Sequence, residues 1–193
     1  EALPADLAAF SREHPQIRIS LEDMTSAEVQ AAVAEGRADV GVFAPPLHDS
    51  ARLQTWPYRT GRLAVVLPLG HALAADPAAG VAFEALLDYD IVGLHMGASV
   101  HEQMLQRALE RGRILQARLQ VRGFDAIAQL VGEGLGVAVL PAVVAERFSR
   151  LFPITVRPLA DPWAERRYLL AVQRQEVLPA AVQRFVDRLR QAA

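Results

Sequence analysis

A strand–helix–strand pattern that occurs twice constrains the fold of this chain more than any other feature of its sequence. In the first half, the alternating run 17–22 and the apolar run 39–43 flank a stretch with helical spacing. In the second half, the apolar runs 91–94 and 136–140 enclose two such stretches and a further strand. Short strands that alternate with helices are typical of an α/β fold built from βαβ units with parallel strands.

The first repeat has clear signals at both ends of its helix. Thr25 or Ser26 supplies a hydroxyl that can cap the first turn, and Gly36 ends the helix in the usual way. We therefore expect 17–22 and 39–43 to be parallel strands of one βαβ unit. A helix with apolar residues at helical spacing precedes this unit.

The second repeat spans 91–140. Its first helix is predicted to bury one face, formed by Val100, Met104, Leu105, Ala108 and Leu109. The segment 70–80 is rich in Ala, Pro and Gly, and we interpret it as a connection between two lobes. The sequence thus predicts one lobe from 1–69 plus 163–193 and a second lobe from 70–162, joined by two crossing strands.

Two missing amino acids exclude whole classes of function. The chain has no Cys, which excludes thiol nucleophiles, disulfides and Cys-based metal sites. All 20 basic residues are Arg, and the absence of Lys excludes Schiff-base catalysis and P-loops. The histidines lack metal-ligand spacing, and Gly-x-Ser-x-Gly is absent, so we expect no metal, no cofactor and no catalysis.

Charge and hydropathy limit the partners. The net charge is -2 without a long basic run, so this chain by itself is not expected to bind nucleic acid tightly. No apolar run approaches the roughly 18 residues that a membrane-spanning helix needs. The chain begins with Glu1 rather than Met, from which we expect a processed or truncated N-terminus.

The order of these segments resembles the effector-binding domain of LysR-type transcriptional regulators across essentially the whole chain. The segments that carry the resemblance are Leu3-Pro4…Phe10…His14-Pro15, Glu35-Gly36-Arg37-Ala38-Asp39-Val40-Gly41-Val42, Leu63-Ala64-Val65-Val66-Leu67-Pro68, Val131-Gly132-Glu133-Gly134-Leu135-Gly136-Val137-Ala138-Val139-Leu140-Pro141, Val156-Arg157-Pro158-Leu159 and Phe185…Leu189-Arg190.

The resemblance implies a type 2 periplasmic-binding-protein fold that serves as a cytoplasmic sensor. It also implies a homodimer or homotetramer. In the family, a winged helix-turn-helix domain and a linker helix precede this segment, and neither is in this sequence. The resemblance therefore implies DNA binding for the intact protein only, with no membrane partner.

Candidate ligand-binding residues lie at predicted helix starts. Ser26 matches by position the ligand-contacting Ser or Thr of the family, with Thr25 beside it, although plain helix capping explains both. In the second lobe, the turn that contains His95, Gly97, Ala98 and Ser99 follows a strand and opens a helix. A tight turn without a ligand is the alternative there.

Three further residues complete the predicted site. Gly123 and Phe124 open the helix that corresponds to the Ser26 helix, and Phe124 either lines the cleft or packs the helix onto the sheet. Pro141 ends the last strand of the repeat and is expected to shape the cleft wall.

We therefore expect a small, anionic effector to bind in an interlobe cleft and to bias a DNA-binding domain. Two other functions share this fold: a periplasmic solute-binding protein of a transporter, and a small α/β enzyme.

Overall fold

The computed structural model describes residues 3–46, 48, 51–76, 78–95, 98–174 and 177–191. The chain divides into two compact units, Glu1–Thr60 with Arg167–Ala193 and Gly61–Arg166. Within the described residues, the helices are α1 (Leu3–Glu13), α2 (Ser26–Ala34), α3 (Phe83–Leu86), α4 (Ser99–Glu110), α5 (Phe124–Gly132), α6 (Ala142–Phe148) and α7 (Ala180–Gln191). The strands are β1 (Gly41–Phe43), β2 (Leu53–Pro68), β3 (Ile91–Leu94), β4 (Ala117–Val121), β5 (Ala138–Pro141), β6 (Ile154–Pro158) and β7 (Glu165–Gln173).

In the first unit, three helices accompany the antiparallel pair of β1 and β7. Gly41 of β1 lies opposite Ala171 of β7. Helix α2 lies so close to β1 that a Cβ at Gly41 would be only 2.6 Å from Cγ1 of Val29. Helices α1 and α7 meet through the rings of Phe10 and Phe185, whose centroids are 4.9 Å apart. Glycine at position 41 thus permits the close helix–strand packing.

The second unit contains the predicted parallel strands. Strands β3 and β4 pair in parallel, and a parallel bridge between Ile91 and Val137 places the start of β5 beside β3. Strand β5 pairs antiparallel with the second half of β2, which pairs on its other side with β6. The larger buried side chains of the two clusters around these strands are Leu63, Leu67, Phe83, Leu86, Ile91, Met104, Ile127 and Leu140.

Most predicted elements are confirmed. Helices α2, α4 and α5 begin within a residue or two of the expected positions, a helix (α1) precedes them as predicted, and Gly36 follows α2 with a φ of 72°. The strands predicted near 91–94, 119–121 and 136–140 are β3, β4 and β5. The capping signals and the apolar periods explain this agreement, because both act between residues close in sequence.

The predicted first βαβ unit is wrong. Residues 17–22 form no strand in the described structure, and β1 instead pairs antiparallel with β7. The alternating side chains of 17–22 are mostly exposed, with Leu21 63% exposed. Alternation predicts a strand only where a neighbouring strand and a core cover one face, and neither covers this segment.

Two smaller expectations also need correction. The segment 70–80 lies wholly within the second unit, and the chain passes between the units inside β2 and inside β7. Leu109 is 72% exposed rather than buried, since the buried face of α4 ends with Ala108. Helices α3 and α6 and the polar first half of β2 were not predicted. No helix in the described part of the chain has the length and apolar character needed to cross a membrane.

Candidate functional site

The second unit gathers several helix starts at one edge of its parallel strands. Strands β3 and β4 run in the same direction as neighbours, and helices α4 and α5 follow them. The backbone N–H of His95 donates to the carbonyl of Val121 over 3.0 Å, which joins the two strand ends. This edge of an open α/β sheet is where ligands usually bind, since amide groups converge there.

The amino end of α4 has no side-chain cap. Ala98 occupies the cap position, and its carbonyl accepts from the N–H of Glu102 over 3.0 Å. The N–H groups of Ser99, Val100 and His101 therefore have no partner within the helix. They point along the positive end of the helix dipole, which favours an anionic or strongly accepting group.

A buried arginine sits beside this helix start. Nη2 of Arg166 donates to Oγ of Ser99 over 2.8 Å, and Nη1 donates to Oε1 of Gln103 over 2.5 Å. Arg166 is the second residue of β7 and is only 6% exposed. The first turn of α4 is thus held to β7 by two hydrogen bonds from one guanidinium.

Two histidines flank the same turn. His101 is 2% exposed; its Nε2 lies 3.3 Å from Nε2 of Gln120, and its Nδ1 is buried without a partner among the described residues. Burial lowers the pKa of His101, and His95 adds to this effect while Glu102 opposes it. The Nδ1 atom of His95 is likewise buried and without a partner in the described part of the chain. His101 is therefore neutral at pH 7.

The start of α5 is built differently. Gly123 is its cap residue and provides no side-chain cap, while Phe124 packs against the cluster of Ile127 and its neighbours. The carboxylate of Asp125 folds back over Gly123, and a Cβ at Gly123 would lie 2.2 Å from its Oδ1. Asp125 thus places negative charge near this helix end.

In the first unit, the hydroxyls of Thr25 and Ser26 have different hydrogen-bond partners. Thr25 caps α2 in a capping box with Glu28, and its hydroxyl donates to Oε2 of Glu28 over 2.8 Å. Ser26 is the first helical residue, and its Oγ accepts from the N–H of Ala44 over 3.3 Å. No acceptor for the Ser26 hydroxyl proton lies among the described residues, so this proton remains available to a ligand.

The predicted site residues fall into two sets. His95, Ala98, Ser99, Gly123, Phe124 and Pro141 lie at the helix starts of the second unit, where Pro141 ends β5 and precedes α6. Thr25 and Ser26 belong to the first unit. Gly97 lies outside the described residues. A single cleft that joins both sets remains a prediction.

No group of three or more His, Asp or Glu residues in the described ranges is placed to hold a metal ion.

Comparison with known families identifies the kind of domain that this chain forms. The family model described as LysR substrate binding domain matches residues 1–193. The chain belongs to this family. The LysR resemblance found in the sequence is therefore confirmed.

Curated LysR-type relatives match along nearly the whole chain. A probable nitrogen assimilation transcriptional activator of Synechococcus elongatus is 26% identical over 192 residues, which cover 98% of this chain and 62% of the relative. The transcriptional regulator BenM of Acinetobacter baylyi is 28% identical over 180 residues, which cover 90% of this chain and 57% of BenM. The chain thus spans about three fifths of these regulators.

A solved LysR-type domain has the same fold. The BenM effector binding domain, solved with its effector benzoate, is 26% identical and covers 99% of this chain and 85% of its own chain, with a TM-score of 0.81. The neighbouring solved domains have the type 2 periplasmic-binding-protein fold, which confirms the predicted fold class.

Sequence reasoning missed Arg166, which lies beside the start of α4. This arginine is 67 positions from Ser99 and stands in an ordinary-looking strand, Glu165–Gln173. One local signal was present: β7 places Arg166 at a buried position of its alternating pattern. A charged residue that is buried in a strand needs a partner, so its position indicates a polar contact with another part of the fold.

Proposed function

We propose that this chain is the ligand-sensing domain of a LysR-type transcriptional regulator and binds a small effector that carries an anionic or strongly accepting group. One observation supports this most: α4 begins with three N–H groups that lack helical partners, beside the Ser99 hydroxyl and the buried Arg166. Such a group of donors is complementary to a carboxylate. The effector of the BenM relative is benzoate, a small carboxylate.

We further propose that the effector occupies the interlobe cleft that the family resemblance implies. The proposed contact residues are Thr25, Ser26, His95, Gly97, Ala98, Ser99, Gly123, Phe124 and Pro141. Hydroxyl and backbone donors hold the accepting group, while Phe124 provides an apolar surface for the remainder of the molecule. Ser26 supports this proposal because its hydroxyl proton has no acceptor in the described structure.

The role of the intact regulator follows from its relatives. They are transcriptional regulators, not enzymes, by name. We propose that this domain acts as a homodimer or homotetramer in the cytoplasm, and that DNA contact is made by a separate domain of the intact protein. A domain with net charge -2 and no long basic run is not expected to bind the nucleic-acid backbone tightly by itself.

A thermal-shift screen of carboxylates, phosphates, sugars and amines tests the proposed function. A ligand at 100 times its Kd stabilises the fold by about 2.7 kcal/mol, which is readily seen as a rise in Tm. We expect carboxylates or phosphates among the hits. A screen in which no compound raises Tm contradicts effector binding, and one in which only amines or apolar compounds do so contradicts the proposed chemistry.

Ser26→Ala then tests the proposed contact. Its affinity for a hit, measured by calorimetry, should fall about 10- to 100-fold if the hydroxyl donates to a charged group. Ser149→Ala is the matched control, because the Ser149 hydroxyl donates to the carbonyl of Glu146 at an exposed site. Unchanged affinity in Ser26→Ala removes Ser26 from the site.

A further inference from the structure

We propose that a small cavity in the second unit binds a free amino acid in its zwitterionic form, at a site separate from the helix starts described above. The cavity has a volume of about 190 Å³. It lies where β3, β4 and β5 begin, whereas α4 and α5 start beyond the ends of β3 and β4. The inference goes beyond the proposed function, because none of the proposed effector contacts lines this cavity.

An ion pair on the cavity wall supplies both charges that a zwitterion needs. Nη1 of Arg118 donates to Oδ2 of Asp90 over 2.8 Å. Nε and Nη2 of Arg118 and Oδ1 of Asp90 have no partner within the described residues, so each side chain keeps atoms for a second partner. The two side chains are 54% and 40% exposed. Because their charges cancel, the pair favours a ligand with one charge of each sign over a simple anion or cation.

Two neutral side chains beside the pair are suited to a carboxylate. Nδ1 of His71 accepts from the N–H of Leu73 over 3.2 Å, which leaves the proton of the neutral ring on Nε2. Burial lowers the pKa of His71, so the ring is neutral at pH 7. The ring of Tyr89 packs edge-on against His71, with centroids 4.6 Å apart. Both residues line the cavity, and neither Nε2 of His71 nor the Tyr89 hydroxyl has an acceptor among the described residues.

The turn before β5 adds a backbone donor to the same cavity. In the turn of residues 134–137, three of the four N–H groups donate to backbone carbonyls over 2.9 to 3.1 Å. Only the N–H of Gly136 has no partner among the described residues. A Cβ at Gly136 would lie 2.3 Å from the backbone oxygen of Asp90, so the absence of a side chain lets the turn lie directly against Asp90.

The volume and the remaining walls of the cavity set the size and polarity of the ligand. A volume of 190 Å³ corresponds to about six water molecules of the liquid. That is below the roughly 300 Å³ of the smallest drug-sized pockets. Leu135, Val137 and the ring of Tyr89 provide an apolar wall. An amino acid with a short apolar side chain fits these walls, with its carboxylate on the donors of Arg118 and its neighbours and its ammonium group on Asp90.

Titrations with three compounds of similar shape test this class of ligand. The probes are L-valine, isovalerate, which lacks the ammonium group, and isobutylamine, which lacks the carboxylate. Binding is followed by NMR through the backbone amide signals of Gly134 and Gly136. L-valine should shift both signals saturably, and loss of either charged group should weaken binding at least about threefold, as expected for half-exposed ionic partners.

Two results of these titrations overturn the inference. One is binding of isovalerate or isobutylamine that is equal to or tighter than that of L-valine. The other is the absence of a saturable shift with L-alanine, L-valine and L-leucine at about 20 mM, which is roughly twentyfold above a Kd of 1 mM.

Variants of the ion pair test the contacts. Asp90→Asn and Arg118→Gln should each weaken the binding of L-valine at least about threefold, and Tyr89→Phe should weaken it about twofold. Asp88→Asn is the matched control, because Asp88 accepts from Nη2 of Arg113 over 2.7 Å in the same unit but does not line the cavity. Equal weakening in Asp88→Asn and Asp90→Asn overturns the inference. If Arg118→Gln fails to fold by circular dichroism, Asp90→Asn and Tyr89→Phe decide the question.

One further comparison distinguishes this cavity from the proposed effector site. Weaker binding of L-valine to Ser26→Ala, with no change in Asp90→Asn, places the amino acid at the effector site, which overturns this inference and supports the proposed function. Saturable binding that depends on Asp90 supports the inference even if no compound of the effector screen binds at Ser26.

Discussion

The hydroxyl of Tyr58 donates a hydrogen bond to Oδ2 of Asp6 over 2.5 Å, although 52 residues separate the two in sequence. Nη2 of Arg59 also lies 3.1 Å from the same oxygen, so one buried carboxylate ties α1 to β2 within the first unit. Burial by itself raises the pKa of Asp6, but the hydrogen bonds from Tyr58 and Arg59 outweigh it and hold that pKa below 3.8. Burial and the Asp6 contact raise the pKa of Tyr58 to about 12.

We predict that Tyr58→Phe destabilises the fold by about 1.5–3 kcal/mol, because it removes a hydrogen bond to a buried charged group. Urea unfolding at pH 7 measures the loss. Tyr89→Phe is the matched control, since the Tyr89 hydroxyl makes no hydrogen bond within the described residues, and it should change stability by less than about 0.5 kcal/mol. Equal effects of the two substitutions would contradict the role given to the Asp6 contact.

The same cluster predicts a loss of stability in acid. Since the pKa of Asp6 is lower in the folded chain than its ordinary value of 3.8, its contribution is fully present above pH 3.8 and is lost as the pH falls through the lower, folded value. Acid titrations of the wild type and of Asp6→Asn, followed by circular dichroism, should differ in steepness in this range. Superimposable curves would count against the prediction.

The burial of His101 predicts a second pH dependence of folding stability, at a higher pH than that of Asp6. Because burial lowers its pKa below 6.5 in the folded chain, the unfolded chain binds a proton that the folded chain does not. Stability should therefore fall as the pH drops below 6.5, by up to about 1.4 kcal/mol per pH unit. Burial lowers the pKa of His71 as well, so some dependence of the same sign remains in any His101 variant.

Urea unfolding of His101→Gln between pH 7.5 and 5.5 measures this effect. The variant should show a flatter pH profile than the wild type, whereas His14→Gln, which alters the ring that packs on Phe10 at the end of α1, should keep the wild-type slope. A His101→Gln profile as steep as that of the wild type would show that His101 does not control it.

Gly136 is predicted to be intolerant of any side chain. Its φ is 147°, and a Cβ there would lie 2.3 Å from the backbone oxygen of Asp90. Gly136→Ala should cost about 3 kcal/mol or more, from backbone strain and a clash that no side-chain rotation relieves. Gly112→Ala shares the positive φ, 65°, but meets open space, and should cost only about 1–2 kcal/mol in urea unfolding. Similar losses of stability in the two variants would contradict the predicted clash.

Self-association is the fifth property to measure. The family resemblance implies a homodimer or homotetramer, and we expect sedimentation at about 100 micromolar, well above the Kd of typical weak dimers, to show species heavier than the 21.0 kDa chain. A single species of 21.0 kDa at this concentration would contradict that expectation.

The sequence by itself determined the elements whose signals are local. Helices α4 and α5 and strands β3 and β4 were predicted because apolar periodicity and turn residues act over a few positions. The prediction of Thr25 or Ser26 as the cap of α2 followed from the same kind of signal, and the structure shows that Thr25 is the cap, with its partner Glu28 three residues away. The order of such segments was also enough to indicate the LysR-type family.

Only the tertiary structure decided which strands pair and which charges meet. Residues 17–22 alternate like a strand but remain exposed, since pairing depends on what the rest of the chain places beside them. Arg166 meets Ser99 across 67 residues, and Tyr58 meets Asp6 across 52. The spacing of two residues along a chain does not determine their distance in space once several turns intervene, so contacts of this kind are decided by the packing of whole elements.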